Sequence, residues 1–84
     1  MAWYVYILRC GDGSLYTGST TDVARRFREH QNGTGARYTR SHLPVTLAYT
    51  EALPDRSSAL RREAAIKRLT RPQKLELLGK EETL

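Results

Sequence analysis

The sequence feature that most constrains the fold is a pair of β-prone segments separated by a short glycine-rich turn. The segment from Trp3 to Arg9 is rich in aromatic and β-branched residues, and the segment from Leu15 to Gly18 follows it after Gly11-Asp12-Gly13. Two such runs around a tight turn predict an antiparallel β-hairpin. The whole sequence has 84 residues, and so short a chain buries only roughly 60% of its unfolded surface. The hairpin is therefore expected to belong to one small domain.

The tyrosines of the predicted hairpin share one face of the sheet. A turn at Gly11–Gly13 places Tyr16 opposite Leu8, which has the same parity along its strand as Tyr6. A slip by one residue would put Tyr16 on the other face. The chain has five tyrosines and one phenylalanine, and each buried hydroxyl needs a hydrogen-bond partner. Tyr6 and Tyr16 are therefore candidates to present two phenols to one point, although tyrosine also suits strands on its own account.

The middle of the chain predicts a helix, a loop and a third strand. Ser19-Thr20-Thr21-Asp22 offers N-cap residues ahead of an apolar i, i+4 pair, and Asn32-Gly33 offers a stop, which together indicate a helix of about three turns. Thr34 to Leu43 has no periodicity and carries several basic residues, so it is expected to be an exposed basic loop. Val45 to Thr50 alternates apolar and polar residues and predicts the third strand.

The C-terminal third predicts two helices. Ser57-Ser58 offers caps for a helix that runs to Leu69. Thr70 then opens a second helix, with Gln73 completing a capping box and Gly79 as the stop. Residues 80–84 are expected to form a short tail. The predicted order is strand, strand, helix, strand, helix, helix.

Charge and cysteine content narrow the class of protein. Fourteen Lys and Arg against nine Asp and Glu give a net charge of +5. So positive a charge would attract nucleic acid, but a basic surface that serves only solubility would have the same composition. Cys10 is the only cysteine, which excludes an intrachain disulfide and favours a reducing compartment. No apolar stretch reaches ~18 residues and no secretion signal is recognisable, so we expect a cytoplasmic protein without a membrane span.

Glu63 stands out because it falls inside an apolar stripe of the predicted helix. On a helical projection the apolar residues line one side, with Glu63 in their middle and Lys67 at their edge. An unpaired carboxylate taken out of water costs on the order of several kcal/mol. Either Glu63 pairs with Lys67 at i, i+4, or it holds a divalent cation, and the spacing leaves both open.

Arg26 and His30 are four residues apart on the first predicted helix and flank its apolar side together. Arginine binds phosphate with two hydrogen bonds, and histidine moves protons near neutral pH, so this pair suits a reacting phosphate. A boundary histidine with its apolar edge buried would give the same pattern.

These residues, taken in order along the chain, resemble the motifs of the GIY-YIG nuclease superfamily. Tyr4-Val5-Tyr6 and Tyr16-Thr17-Gly18 are similar to its two tripeptides, Arg26 and His30 follow on a helix, and Glu63 lies on a later one. The resemblance covers nearly the whole chain and is similar in spacing to short stand-alone bacterial members.

Two residues differ from the usual pattern of that superfamily. Tyr4 stands where the first tripeptide usually has glycine, and Thr17 stands where the second usually has isoleucine. Both are tolerable in a strand, and neither replaces a proposed catalytic group. The resemblance implies a single α/β domain over residues 1–79, with a three-stranded antiparallel sheet flanked by helices.

The resemblance also implies an activity, which is cleavage of phosphodiester bonds with one bound Mg²⁺ or Mn²⁺. Glu63 would be the metal ligand, and Arg26 would stabilise charge at the phosphate. Tyr6 would be the leading candidate for general base, while Tyr16 and His30 would position the water or assist proton transfer. Such chemistry needs an activated water and charge neutralisation at the phosphate.

Substrate affinity would have to come from basic and aromatic side chains on the loop and on the helix of Glu63. The candidates for nucleic-acid binding are Arg37, Tyr38, Arg40, His42, Arg61 and Lys67. We expect salt-sensitive, mostly sequence-independent binding. The main hypothesis is a structure- or damage-related DNA endonuclease, with RNA as a further possible substrate, and the alternative is a non-catalytic nucleic-acid-binding module on the same scaffold.

Overall fold

A computed structural model describes residues 2–82 of the chain, with side chains described for residues 2–79. Three strands form one antiparallel sheet: β1 is Trp3–Arg9, β2 is Leu15–Thr20 and β3 is Thr46–Leu53. Their order is β2-β1-β3, so the most apolar strand lies in the centre. The α/β class and the order of elements are confirmed.

The register of the hairpin is the one predicted from the turn. Leu8 pairs with Tyr16 and Tyr6 pairs with Gly18, so both tyrosines lie on the same face of the sheet. Gly13 has a φ of 86°, a left-handed conformation that glycine adopts without steric cost. The turn chemistry therefore fixes which residues of β2 meet Tyr6.

Four helices cover the two faces of the sheet. They are α1 (Val23–Gln31), α2 (Arg37–Arg40), α3 (Arg56–Lys67) and α4 (Arg71–Glu82). On one face, Val5 and Ile7 pack against apolar residues of α3 and α4. On the other face, Tyr6 and Leu8 pack with Phe27 of α1. Both faces of β1 are buried, which explains its nearly continuous apolar sequence.

Helix α1 begins and ends where the sequence predicts. The Asp22 side chain accepts a hydrogen bond from the Arg25 amide. At the other end, Gly33 has a φ of 76°, and the Thr34 amide donates to the Glu29 carbonyl at 2.9 Å. This pattern closes the last turn as a Schellman motif does. The result is a helix of fixed length, with its last turn directed at the face of Tyr6.

The segment from Thr34 to Leu43 is not simply the exposed loop that the sequence predicts. It contains the short helix α2, and Thr39 in this helix is fully buried. Aperiodic sequence did not reveal the helix because a single turn carries no periodic signal. The basic residues Arg37 and Arg40 are nevertheless exposed, as expected.

Boundaries of the later elements differ by a few residues from those predicted. Strand β3 continues to Leu53 because its partner β1 continues to Trp3, which pairs with Leu53. Helix α3 is capped by Asp55, whose side chain accepts from the Ser58 amide at 2.7 Å, and not by Ser57 or Ser58.

Helix α4 confirms one end of its prediction and corrects the other. The Thr70 amide donates to the Gln73 side chain at 2.9 Å, and the Gln73 amide donates back to Thr70 Oγ1 at 3.4 Å, which is the predicted capping box. Gly79 does not stop the helix, which continues to Glu82. Glycine is disfavoured in a helix by only about 1 kcal/mol, so neighbouring residues can override it. The last part of the predicted tail, residues 83–84, lies outside the described residues.

Candidate active site

Tyr6 lies at the centre of the sheet with a glycine beside it. Its side chain is 2% exposed, and Gly18 is its partner on β2. A Cβ at Gly18 would lie 2.7 Å from Tyr6 Cζ, which leaves no room for a side chain. The glycine of the second tripeptide therefore lets the phenol of the first lie flat over β2.

His30 meets this phenol from the last turn of α1. Its Nε2 atom is 2.9 Å from the Tyr6 hydroxyl oxygen, and its Nδ1 atom is 2.7 Å from Thr39 Oγ1. The ring is fully buried, and so lies deeper than the helix-edge position expected from sequence. A Cβ at Gly35 would lie 2.9 Å from His30 Cγ, so Gly35 leaves the space that the ring fills.

Burial shifts both groups of this pair towards their neutral forms. Loss of hydration raises the pKa of Tyr6 to about 12, although a hydrogen bond from Arg26 opposes the shift. Loss of hydration, together with the positive charge of Arg26, lowers the pKa of His30 below its usual 6.5. At neutral pH the structure therefore holds a protonated phenol beside an uncharged imidazole.

Tyr16 extends this pair into a ladder of aromatic rings that leads outwards. Its ring centroid lies 6.5 Å from that of Tyr6 and 5.3 Å from that of His30. Tyr38 stacks on Tyr16 at 6.2 Å, and His42 stacks on Tyr38 at 4.1 Å with an 11° angle between the planes. The rings connect the buried phenol to the surface of α2.

Arg26 lies at the outer edge of the cluster, one turn before His30 on α1. Its Nη1 atom is 2.9 Å from Glu29 Oε1, and about one third of its side chain is exposed. The bond to Glu29 raises the pKa of Arg26 further. The guanidinium group is therefore a permanent charge beside Tyr6, with part of its surface open to a ligand.

Glu63 reaches the edge of the sheet from α3, and both of its carboxylate oxygens have partners. Ser19 Oγ donates to Oε1 at 2.7 Å, and Lys67 Nζ lies 2.7 Å from Oε2. Lys67 is the i, i+4 partner that the sequence spacing suggested for Glu63. The Glu63 side chain is 18% exposed, so it lies at a rim of the fold.

The position of Glu63 relative to the rings follows from strand parity. Ser19 is an odd-numbered residue of β2, and its side chain therefore lies on the face opposite that of Tyr16. No hydrogen bond joins Glu63 to Tyr6, Tyr16 or His30 in the described part of the chain, but its charge is close enough to raise the pKa of Tyr6. The edge strand β2 thus separates the carboxylate from the rings.

The donor set around Glu63 is small for a metal ion. Among the side chains of residues 2–79 there is no group of three or more His, Cys, Asp or Glu that could hold one. Mg²⁺ usually keeps several of its waters and takes one or two carboxylates from the protein. A single rim carboxylate oriented by the Ser19 hydroxyl fits such a hydrated cation, provided that Lys67 gives way.

The residues predicted to bind nucleic acid fall into two places. Tyr38 and Lys67 line a groove of about 220 Å³ beside Tyr16, together with Lys74. His42 stacks on Tyr38, and the exposed residues Arg37 and Arg40 belong to the same short helix as Tyr38. Arg61 is also exposed, but helical geometry turns it about 200° from Glu63.

Four residues of this region were not identified from sequence: Ser19, Gly35, Thr39 and Lys74. Ser19 and Thr39 act through hydrogen bonds to residues 44 and 9 positions away, and such pairings leave no local pattern. Lys74 is one of many basic residues, and its position in the groove depends on how α4 packs. Gly35 could have been noticed only as a glycine close to His30 in sequence.

Comparison with known proteins identifies a family. The sequence matches the GIY-YIG catalytic domain over residues 2–76. A UPF0213 protein of Streptococcus sanguinis is 57% identical over 72 residues, which cover 86% of this chain and 83% of that protein. A UPF0213 protein of Haloquadratum walsbyi is 57% identical over 74 residues, covering 88% and 83%.

Two solved structures are also similar. The solution NMR structure of a UPF0213 protein from Bacillus halodurans has a TM-score of 0.61 at 49% identity, covering 94% of this chain and 84% of that one. A solution NMR structure of a protein from E. faecalis has a TM-score of 0.66 at 45% identity, covering 100% and 90%. Among the described helices, none has the length and apolar character needed to cross a membrane.

Proposed function

Because this chain belongs to the GIY-YIG family, we propose that it is an endonuclease that hydrolyses phosphodiester bonds in DNA with the help of one Mg²⁺ or Mn²⁺ ion. The family match covers residues 2–76 and indicates a nuclease-type domain. The observation that carries the proposal is the buried bond of 2.9 Å between the Tyr6 hydroxyl and His30 Nε2. A phenol and a neutral imidazole in direct contact form a pair that can move a proton.

Tyr6 cannot act as a base by itself near neutral pH. Its pKa of about 12 means that the phenol keeps its proton. The phenol oxygen can accept a proton from water only if it passes its own proton on at the same time. His30 is the neighbouring group that can take it, because its lowered pKa keeps the ring uncharged at pH 7.

Arg26 supplies fixed positive charge where the phosphate gains negative charge. Its side chain is one third exposed and lies next to the Tyr6 hydroxyl. Guanidinium groups bind phosphate oxygens through two parallel hydrogen bonds. The bond to Glu29 is exposed and therefore weak, on the order of 0.2 to 1 kcal/mol, so a phosphate can replace it.

Glu63 is the residue that would hold the divalent cation. When bound, such an ion neutralises a phosphate oxygen and makes its water a better nucleophile. The Ser19 hydroxyl holds one carboxylate oxygen in place at 2.7 Å. Lys67 occupies the other oxygen and would leave it, becoming available to a neighbouring phosphate in the groove beside Tyr16.

Substrate binding would rest on charge and stacking more than on the reading of base sequence. The groups available for this are the ladder of Tyr16, Tyr38 and His42 and the exposed arginines of the short helix α2 that carries Tyr38. Arginines contact phosphates at any sequence, and aromatic rings stack on any base. We therefore propose low sequence specificity and a structure- or damage-related DNA substrate, as in DNA repair, with RNA as a second possible substrate. A cytoplasmic location suits the free, buried thiol of Cys10.

One observation favours the alternative of a nucleic-acid-binding module without turnover. Glu63 is already neutralised by Lys67 at 2.7 Å. If that pair does not open, no cation is held and no water is activated. The aromatic and basic surface would then bind nucleic acid without cutting it.

The two functions separate in a panel of substrates. Purified protein is incubated with supercoiled, single-stranded and branched DNA and with RNA, each with Mg²⁺, with Mn²⁺ and with a chelator. Tyr6→Phe removes the proposed base, and Tyr49→Phe is the matched control because the Tyr49 hydroxyl bonds to Glu51 and its ring packs on the face of β1 that α3 covers.

We expect metal-dependent cutting that Tyr6→Phe reduces by at least about 100-fold and that Tyr49→Phe preserves. Cutting that survives Tyr6→Phe unchanged would refute the assignment of the base. Tight, salt-sensitive binding without any cutting by the wild type would replace the proposal with the binding module.

A further inference from the structure

The protonation of the His30 ring decides whether Tyr6 can pass on its proton. A neutral imidazole carries one proton, on either Nδ1 or Nε2. Tyr6 contacts Nε2 and Thr39 contacts Nδ1. If Nε2 carried the proton, it would donate to the phenol oxygen, and no acceptor would remain for the phenol proton.

Thr39 provides the information that distinguishes these two tautomers. Its Oγ1 atom lies 2.9 Å from the carbonyl oxygen of Ala36. A carbonyl cannot donate, so the hydroxyl proton of Thr39 must point to Ala36. A hydroxyl has a single proton, and Thr39 Oγ1 can therefore only accept from the His30 ring nitrogen at 2.7 Å.

The other tautomer would leave the buried pocket with unsatisfied contacts. Thr39 would have to turn its proton to His30 Nδ1, and its oxygen would then face the Ala36 oxygen at 2.9 Å without a proton between them. Thr39 is 0% exposed, so solvent does not reach the site. A buried polar group without a partner costs about 1–3 kcal/mol, enough to favour one tautomer strongly.

We propose that Thr39 is a positioning residue that fixes the His30 tautomer with Nδ1 protonated and Nε2 bare, so that His30 receives the Tyr6 proton. This inference rests on the proposed nuclease function. As water attacks the phosphorus, one proton moves from the water to the Tyr6 oxygen and one moves from Tyr6 to His30 Nε2. The bond from phosphorus to the leaving nucleotide oxygen breaks, and that oxygen takes up a proton from solvent. The imidazolium that results still donates its Nδ1 proton in a hydrogen bond to Thr39 Oγ1. Because His30 is buried, its proton returns to the Tyr6 oxygen while Tyr6 passes the proton taken from the water on to solvent, which restores the pair.

The surroundings of Thr39 hold it in this role. The Ala36 carbonyl also accepts the Arg40 amide at 3.1 Å, as the backbone bond of α2. The backbone of the helix therefore fixes the position of the Ala36 carbonyl, independently of the hydrogen bond that it accepts from the Thr39 side chain. Gly35 leaves space for the His30 ring just before α2. Helix α2 therefore has a task that its single turn would not suggest, which is to present one oxygen to His30.

The tautomer can be measured without any substrate. Nitrogen-15 chemical shifts of the His30 ring distinguish a protonated nitrogen from a bare one, and spectra are recorded above pH 6.5, the usual pKa of histidine, so that the ring is neutral. The wild type and Thr39→Ser are expected to show Nδ1 protonated and Nε2 bare. Thr39→Val removes the acceptor, and the ring is expected to shift towards Nε2 protonated. A wild-type spectrum with Nε2 protonated would overturn the proposal.

Cleavage kinetics test the consequence for the reaction. Thr39→Val is expected to lower kcat about 100-fold with KM changed little, because Thr39 does not touch the substrate. Thr39→Ser is expected to restore kcat to within a few-fold of wild type. The matched control is Thr50→Val at an exposed position of β3, which should leave kcat unchanged.

The outcomes separate this inference from the proposed function. If the wild type is active and Thr39→Val has the same kcat, the role of Thr39 is overturned and the nuclease function stands. An inactive wild type whose Nε2 is bare would refute the nuclease proposal and leave the tautomer assignment supported. If Thr39→Val fails to fold, Thr39→Ala is the second variant without the acceptor, and the wild-type spectrum still decides which nitrogen of His30 is protonated.

Discussion

At the scale of single residues, the site combines groups that burial makes neutral with groups that stay charged. Tyr6 and His30 are buried and lose their charged forms, whereas Arg26 keeps its charge at the edge. This division suits phosphodiester chemistry, because a neutral imidazole can accept a proton and a cation stabilises negative charge on the phosphate. It also gives the pair a measurable effect on stability.

Acidification should destabilise the protein through His30. Its pKa in the folded chain lies below the usual 6.5, so the unfolded chain binds the proton first as pH falls. The free energy of unfolding should therefore decline as pH falls below 6.5, by up to about 1.4 kcal/mol per pH unit. The groups that face His30 are Tyr6, Tyr16, Arg26, Glu29 and Thr39, and of these the charge of Glu29 opposes the decline.

Urea denaturation between pH 7.5 and pH 5 measures this decline. A His30→Gln variant should lose it, while His42→Asn keeps His30 in place and should retain it. Stability that stays constant in the wild type across this range would show that burial does not lower the pKa of His30 in the folded protein.

At the scale of elements, the sequence predicted the features that neighbouring residues determine and missed those that depend on contacts between distant residues. The hairpin register follows from a three-residue turn, and the capping box of α4 follows from Thr70 and Gln73. Helix α2 was missed because one turn has no period, and the end of α4 was misplaced because Gly79 is overridden by its neighbours. The contact between Thr39 and His30 joins two elements, so no local pattern contains it.

The two elements that carry the tripeptides meet at a position where only glycine fits. In Gly18→Ala, the new Cβ would lie 2.7 Å from Tyr6 Cζ, and the buried ring cannot move without breaking its bond to His30. We expect a loss of about 1–3 kcal/mol in the free energy of unfolding, together with loss of cleavage. Urea titration and a cleavage assay measure the two effects.

The matched control for this substitution lies in helix α4. A Cβ at Gly79 would meet nothing within 4 Å, and alanine is the better helix former by about 1 kcal/mol. Gly79→Ala should therefore keep or raise stability. If Gly18→Ala were as stable and as active as Gly79→Ala, the close packing of Tyr6 on β2 would be wrong.

At the scale of the whole molecule, the effect of the net charge of +5 depends on where the basic side chains lie on the surface. Lys67 and Lys74 line the groove of Tyr16 and Tyr38, and two exposed arginines belong to the short helix α2 that carries Tyr38. Arg61 lies round α3 from Glu63, and Arg62 is bound to Glu51 at 3.0 Å. Composition alone could not separate these sets, because the folded arrangement decides which charges act together.

Binding measurements should reflect this arrangement. Arg40→Gln is expected to weaken binding to DNA of any sequence and to reduce the slope of log K against log salt by about one. Arg61→Gln should change both quantities less. Fluorescence anisotropy with a labelled oligonucleotide at several salt concentrations measures the slope, and equal effects of the two substitutions would contradict the proposed binding surface.

In the proposed reaction, the rim carboxylate of Glu63 holds the cation on which DNA cleavage beside the Tyr6 phenol depends. The most direct measurement is the single-turnover cleavage rate of DNA against Mn²⁺ concentration, for wild type, Glu63→Gln and the exposed control Glu76→Gln. We predict that the rate saturates with Mn²⁺ in wild type and Glu76→Gln, and that Glu63→Gln lowers it by at least about 100-fold. A Glu63→Gln variant that cuts at the wild-type rate with the same dependence on Mn²⁺ would contradict the proposed role of Glu63 in holding the cation.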